Sequence, residues 1–155
     1  MDDLIFTSIM ERLQAKVAEL RWLDLDFGQL YVAERPPVAF PCVLIDLSYI
    51  NCETLSGGDN QKITARVTLR VGFRAPGATS AAAPKAVRSE ALLFFRALTK
   101  IQRALQWWRP CDRTNRLKRR SCVPEQRADG IKCYLMTYEC TVLDQGPDQD
   151  QDQPG

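Results

Sequence analysis

From Ile63 to Arg74 apolar and polar residues alternate without interruption. Ile63, Ala65, Val67, Leu69, Val71 and Phe73 share one parity, and Thr64, Arg66, Thr68, Arg70, Gly72 and Arg74 share the other. Side chains in a strand point alternately to opposite faces, so this pattern predicts a strand with one buried face and one polar face carrying three arginines. Val38 to Tyr49 is a second apolar run. Val43, Ile45 and Leu47 lie on one parity and Leu44 joins polar Asp46 and Ser48 on the other. Pro41 has no amide hydrogen for a sheet ladder and marks a strand beginning or an edge. Asn51 to Asn60 (NCETLSGGDN) supplies the turn residues that join the two runs as an antiparallel pair.

Helical periods flank these strands. Within Leu4 to Leu20, behind Asp2 and Asp3, the residues Ile5, Ile9, Leu13, Val17 and Leu20 recur at four- and three-residue steps, an amphipathic helix with acids at its positive end. Arg21 to Pro37 reads as an irregular connection in which a short strand fits near Leu30 to Ala33. After the loop APGATSAAAP, with Thr79 or Ser80 as cap and Pro84 at the start, a second helix is predicted to run to about Trp108. Val87, Ala91, Phe94, Leu98, Ile101, Leu105 and Trp108 mark its apolar face, and Leu92 and Phe95 widen it. Such a seam also suits a coiled coil, but three heptads without a partner segment favour packing on a sheet. Phe94 and Leu98 are expected against Val67, Leu69 or Val71, whereas Arg70→Ala is expected to cost little.

Arg109 to Arg120 (RPCDRTNRLKRR) then reads as a basic loop, with six cations and one aspartate. Ser121 to Arg127 and Ile131 to Asp144 read as strands around Ala128-Asp129-Gly130, a hairpin turn. Apolar residues on both parities of the latter suggest a central strand. The predicted fold is α+β, with an antiparallel sheet of about four strands packed against two helices in the order α-β-β-α-β-β.

Charge and composition refine this picture. Residues 1–143 suit one domain, large enough to bury a core without metal or disulfide help. The final twelve residues, Asp144 to Gly155 (DQGPDQDQDQPG), hold four aspartates and no base, and are expected to be disordered. Setting those four charges aside raises the net charge from +2 to +6. No apolar run approaches the roughly twenty residues that span a bilayer, and MDDLIFTS lacks a basic signal start, so a reducing cytosol and no membrane contact are expected. Six cysteines (Cys42, Cys52, Cys111, Cys122, Cys133, Cys140) include no CxxC pair, and small buried hydrophobes are the expected role for most.

The chain has no histidine, hence neither the commonest general base nor the usual partner of a Ser or Cys nucleophile. Asp24 and Asp26 share a parity that would suit a metal, but two carboxylates before an apolar strand are more often solvent-facing. Ser56-Gly57-Gly58-Asp59 lacks the lysine and helix of a phosphate loop. Neither catalytic residues nor cofactors are expected. Two groups of cations form the candidate interaction surface: Arg66, Arg70 and Arg74 on the strand face, and Arg113, Arg116, Lys118, Arg119 and Arg120 in the basic run beside Trp107 and Trp108. Clustered cations with nearby aromatics also suit a small nucleic-acid-binding accessory protein. For the strand arginines, acids on neighbouring strands are the plainer reading.

Three segments carry a resemblance: Asp26-Phe27-Gly28-Gln29-Leu30, the run from Glu34 to Asp46 (ERPPVAFPCVLID), and Pro76-Gly77-Ala78-Thr79-Ser80. With the helix and strand order, they resemble small tail-completion or tail terminator proteins of phages and prophages, the minor tail protein U-like family, as a layout over residues 1–143. The resemblance implies a non-enzymatic virion assembly protein. It would form a ring, usually a homo-hexamer, that caps the finished tail tube and presents a joining surface to the head connector. Implied partners are further copies of itself, the tail tube protein and the head-tail connector protein, with non-specific DNA contact in the lumen. The implied location is the virion tail, after assembly in the host cytoplasm.

Overall fold

The computed structural model describes residues 2–32, 35–74 and 77–145. Helix α1 (Asp2–Lys16) precedes strand β1 (Trp22–Leu25), a 3-10 turn (Gln29–Tyr31), β2 (Cys42–Thr54), β3 (Gln61–Arg74), α2 (Lys85–Ala91), α3 (Phe94–Leu105), β4 (Lys118–Glu125) and β5 (Ile131–Asp144). The strands form one sheet in the order β1-β2-β3-β5-β4. β2 and β3 pair antiparallel, as do β3 with β5 and β4 with β5.

The alternation of β3 is realised in full. Ile63, Ala65, Val67, Leu69, Val71 and Phe73 are all buried in the main core, together with Ile5, Ile9, Leu13 and Val17 of the first helix and Leu98, Ile101 and Leu105 of α3. Both helices therefore lie on one face of the sheet. Two cross-links hold them there: Arg12 Nε donates to the Ala104 carbonyl at 3.0 Å, and Tyr138 Oη donates to Gln102 Oε1 at 2.6 Å.

The sheet has five strands and is mixed, not four-stranded and antiparallel. The connection after α1 contains β1, which pairs parallel to β2 (Trp22 with Cys42, Leu25 with Ile45). A four-residue strand is too short for its alternation to stand out, and its partner is what makes it a strand. The strand fitted near Leu30 to Ala33 is instead the 3-10 turn at Gln29–Tyr31; Ala33 lies outside the described residues. That turn places Leu30 against Cys42, Leu44 and Cys133 on the opposite face of the sheet, with Val38 and Phe40 beside them. β2 is thus covered on both faces at its start, which explains why Cys42, Val43, Leu44 and Ile45 are all buried.

The long second helix is broken. α2 ends at Ala91 and α3 begins at Phe94. Between them the amides of Leu93, Phe95 and Arg96 bond three residues back, to Glu90, Leu92 and Leu93. Such tightened turns advance the chain faster than an α-helix and reset its face. Val87 is consequently 46% exposed and Phe95 47%, while Leu98, Ile101 and Leu105 keep the buried face. Ser80 does not cap the helix; its hydroxyl accepts from Ala82 N in a preceding turn. α3 stops at Leu105 rather than Trp108, and the first helix stops at Lys16 rather than Leu20.

Candidate interaction surface

Arg66 and Arg70 stand on the uncovered face of β3, as the parity predicts, but neither is a free cation. Arg66 Nη2 bonds Glu139 Oε1 across the pair with β5 at 3.0 Å, and Arg120 Nε takes the other oxygen of the same carboxylate at 3.0 Å. The Arg66 hydrogen bond is the main reason the Glu139 carboxyl titrates below its ordinary range; burial opposes it and the Arg120 hydrogen bond assists.

Arg70 is the centre of a larger cluster. Its Nε reaches Asp26 Oδ2 at 3.1 Å and its Nη1 reaches Glu125 Oε2 at 2.6 Å, with all three side chains under 20% exposed. Arg127 also contacts Glu125, bonds Asp129, and donates to the Leu30 carbonyl, while Tyr31 bonds Glu125. Both guanidinium groups, of Arg70 and Arg127, lie about 5 Å from the Tyr31 ring. Burial by itself raises the Glu125 carboxyl, yet the hydrogen bonds from Tyr31 and Cys133 and the Arg70 charge bring it below the usual value. Burial, with Glu125 nearby, pushes the Cys133 thiol up to about 12. The cluster ties the turn at Gln29–Tyr31 to β3 and β4. Asp26 is a structural partner of Arg70, and Asp24 Oδ2 accepts from Gln29 Nε2. No metal-ligand group occurs among the described residues.

Arg74 separates from the other two. It lies over the Phe40 ring at 4.9 Å and lines a cleft of about 470 Å³ with Phe73, Phe94 and Lys100. The three β3 arginines are therefore parts of three different local structures.

The basic run is not a loop throughout. β4 begins at Lys118, so Lys118, Arg119 and Arg120 belong to a strand, with a bulge between Arg119 and Ser121. Upstream, Leu117 is buried; its amide donates to Trp108 O and its carbonyl accepts from Trp107 N, each at 2.8 Å. Thr114 is buried and bridges Val142, and Asn115 exchanges hydrogen bonds with Thr141. Arg109 folds back onto the carbonyls of Cys111, Asp112 and Thr114.

These anchors leave a cationic aromatic platform. Trp107 has φ +63°, a left-handed conformation rare for a bulky residue, and its ring is exposed. Arg116 and Lys118 lie 5.8 and 5.5 Å from that ring, and Arg116 also donates to the Trp107 carbonyl. A groove of about 370 Å³ runs between Trp107, Arg109, Asn115, Arg116 and Lys118. Arg113, Arg116, Lys118 and Arg119 are exposed and make no ion pair among the described residues. The basic composition marked this site in the sequence, but the left-handed Trp107 that organises it left no sequence signal.

Comparison with known proteins adds one finding. No family model matches the chain, and no curated protein does. Among solved structures, it is similar to a chain from the virion of a native gene transfer agent particle, with a TM-score of 0.57 and 11% identity over 90% of this chain and 94% of that one. At that identity the likeness shows a common fold across nearly the whole of both chains.

Proposed function

We propose that this protein is a structural component of a phage-like virion, and within that class a tail terminator. The observation that carries the reading is the shared fold with a virion chain over 90% of this one. It agrees in class with the tail-completion resemblance of residues 1–143, which rests on sequence segments alone. On this reading copies of the chain close into a ring, most simply a hexamer, on the end of the tail tube and offer a surface to the head connector. Exposed apolar side chains such as Phe27, Tyr31 and Val32 around the Arg70 cluster suit subunit contacts. The test is electron microscopy of tails assembled with and without the protein. Tubes of uniform length that join heads only when it is present are expected; normal tails and joining in its absence would remove the assignment.

A second reading, a nucleic-acid-binding accessory protein, is favoured by the Trp107 platform, where exposed cations flank an exposed ring. Salt-dependent retention on DNA at physiological ionic strength distinguishes it.

A further inference from the structure

We propose that the Trp107 platform is the docking surface for this chain's own acidic segment, residues 146–155, bound in cis. The inference is independent of the tail terminator reading.

The platform has the chemistry of an anion site. Two exposed cations, Arg116 and Lys118, lie 5.8 and 5.5 Å from the Trp107 ring, and Arg109 lines the same groove. A bulky residue kept at positive φ is a local strain that the Leu117 anchor sustains, since Trp107 N and Trp108 O both bond Leu117.

The occupant is matched in charge and position. Beyond the end of β5 at Asp144, residues 146–155 carry three aspartates and no base. Asp148, Asp150 and Asp152 alternate with glutamines, and in an extended chain alternate residues share a side at about 7 Å spacing, so neighbouring carboxylates can meet Arg116 and Lys118 together. Asn115, which lines the groove, exchanges hydrogen bonds with Thr141 near the end of β5, so the chain leaves the sheet close to the platform. Lys118 pairs with Glu139, only four residues back from Leu143 along β5, or roughly 14 Å of strand. Ten residues beyond Gln145 reach up to about 35 Å, ample to turn and cover that distance. A tether of this length gives a local concentration in the millimolar range, which favours the chain's own segment over another copy or a free polyanion.

Lys118 supplies the reporter, because a carbodiimide joins a carboxylate to an amine only when the two are in contact. The full-length protein is coupled at low salt as a mixture of unlabelled and 15N-labelled copies, then mapped by mass spectrometry. Lys118 is expected to link to Asp148, Asp150 or Asp152 in peptides of uniform isotope, and the link should fade at about 0.5 M salt. In full-length D148N/D150N/D152N, acylation of Lys118 should quicken severalfold while that of Lys62 stays unchanged. Absence of the Lys118 link, links only between labelled and unlabelled copies, or equal Lys118 reactivity in both proteins would overturn the proposal. Lys118 freely reactive in the isolated chain and protected only by an added oligonucleotide would assign the surface to nucleic acid instead.

Discussion

At the scale of single residues, Arg70 shows how a side chain's partners outweigh its place in a pattern. Its parity put it on the polar face, where truncation would be nearly free. The structure gives it two carboxylates in a little-exposed cluster, Asp26 and Glu125. Removing the guanidinium takes the cation from Asp26 and leaves Glu125 with Tyr31 and the longer contact to Arg127, so Arg70→Ala should cost about 2–3 kcal/mol by denaturant unfolding. Asp26→Asn in the same chain should recover part of that loss. The paired carboxylates also set an acid limit. Glu125 and Glu139 titrate below their ordinary range in the folded chain, so their contribution is complete above the unfolded value near 4.3 and is lost as pH falls through the depressed folded values. The melting temperature is expected to fall as pH drops below the unfolded value near 4.3, and less steeply in Glu139→Gln. Gly72 is fixed by crowding. A Cβ there would sit 3.0 Å from both Cys42 Sγ and Leu30 Cδ1, so Gly72→Val should cost about 1–3 kcal/mol through displacement of the turn that carries Leu30.

Among the elements, α3 packs on the sheet through one face that starts at its junction with α2. Leu98 lies in the main core, and Phe94, partly buried, packs its ring 5.1 Å from Phe73. Leu98→Ala should cost about 2–5 kcal/mol, whereas Phe94→Ala should fall at or below the low end of the usual aromatic range because solvent already reaches that ring. Equal melting temperatures for wild type and Leu98→Ala would contradict the helix-on-sheet packing. At the other end of α3, a left-handed residue after a helix is normally glycine, and here it is Trp107. Trp107→Gly is expected to hold or raise stability by up to about 1 kcal/mol by relieving that conformation, while removing the ring that positions Arg116 and Lys118. Thermal unfolding together with Lys118 reactivity separates the two effects.

For the whole molecule, the sheet has a helix-covered face and an opposite face closed at one end by the small apolar cluster around Leu30 and by the Arg70 cluster. No helix among the described residues is long and apolar enough to cross a membrane. A protein that caps a tube of repeated subunits should self-associate, so native mass spectrometry at rising concentration is expected to show a closed homo-oligomer, most simply six copies, or a ring assembled only on purified tail tubes. A strict monomer that also fails to join tubes would leave the fold intact and remove the function proposed for it.

Local order alone determined the strands and helices with long periods. β3, β5, the buried face of α3 and the turn at Asp129-Gly130 follow from side-chain parity, helical spacing and turn chemistry, which neighbours in sequence suffice to set. Three features were decided by distant contacts. β1 exists because β2 offers a ladder, and the long helix breaks where three-residue turns reset its face against the sheet. Half of the basic run became structure because Thr114, Asn115 and Leu117 found partners on β5 and beside Trp107. The cysteines divide the same way: burial was expected for most, but only Cys42, Cys133 and Cys140 are buried, while Cys52 is exposed and Cys111 and Cys122 are half-buried, according to which strands and loops cover them. The candidate arginines were legible as cations, but whether each was paired depended on acids 44 to 73 residues away, Asp26 and Glu125 for Arg70 and Glu139 for Arg66. Charge is written in the sequence, whereas its neutralisation belongs to the register of the folded sheet.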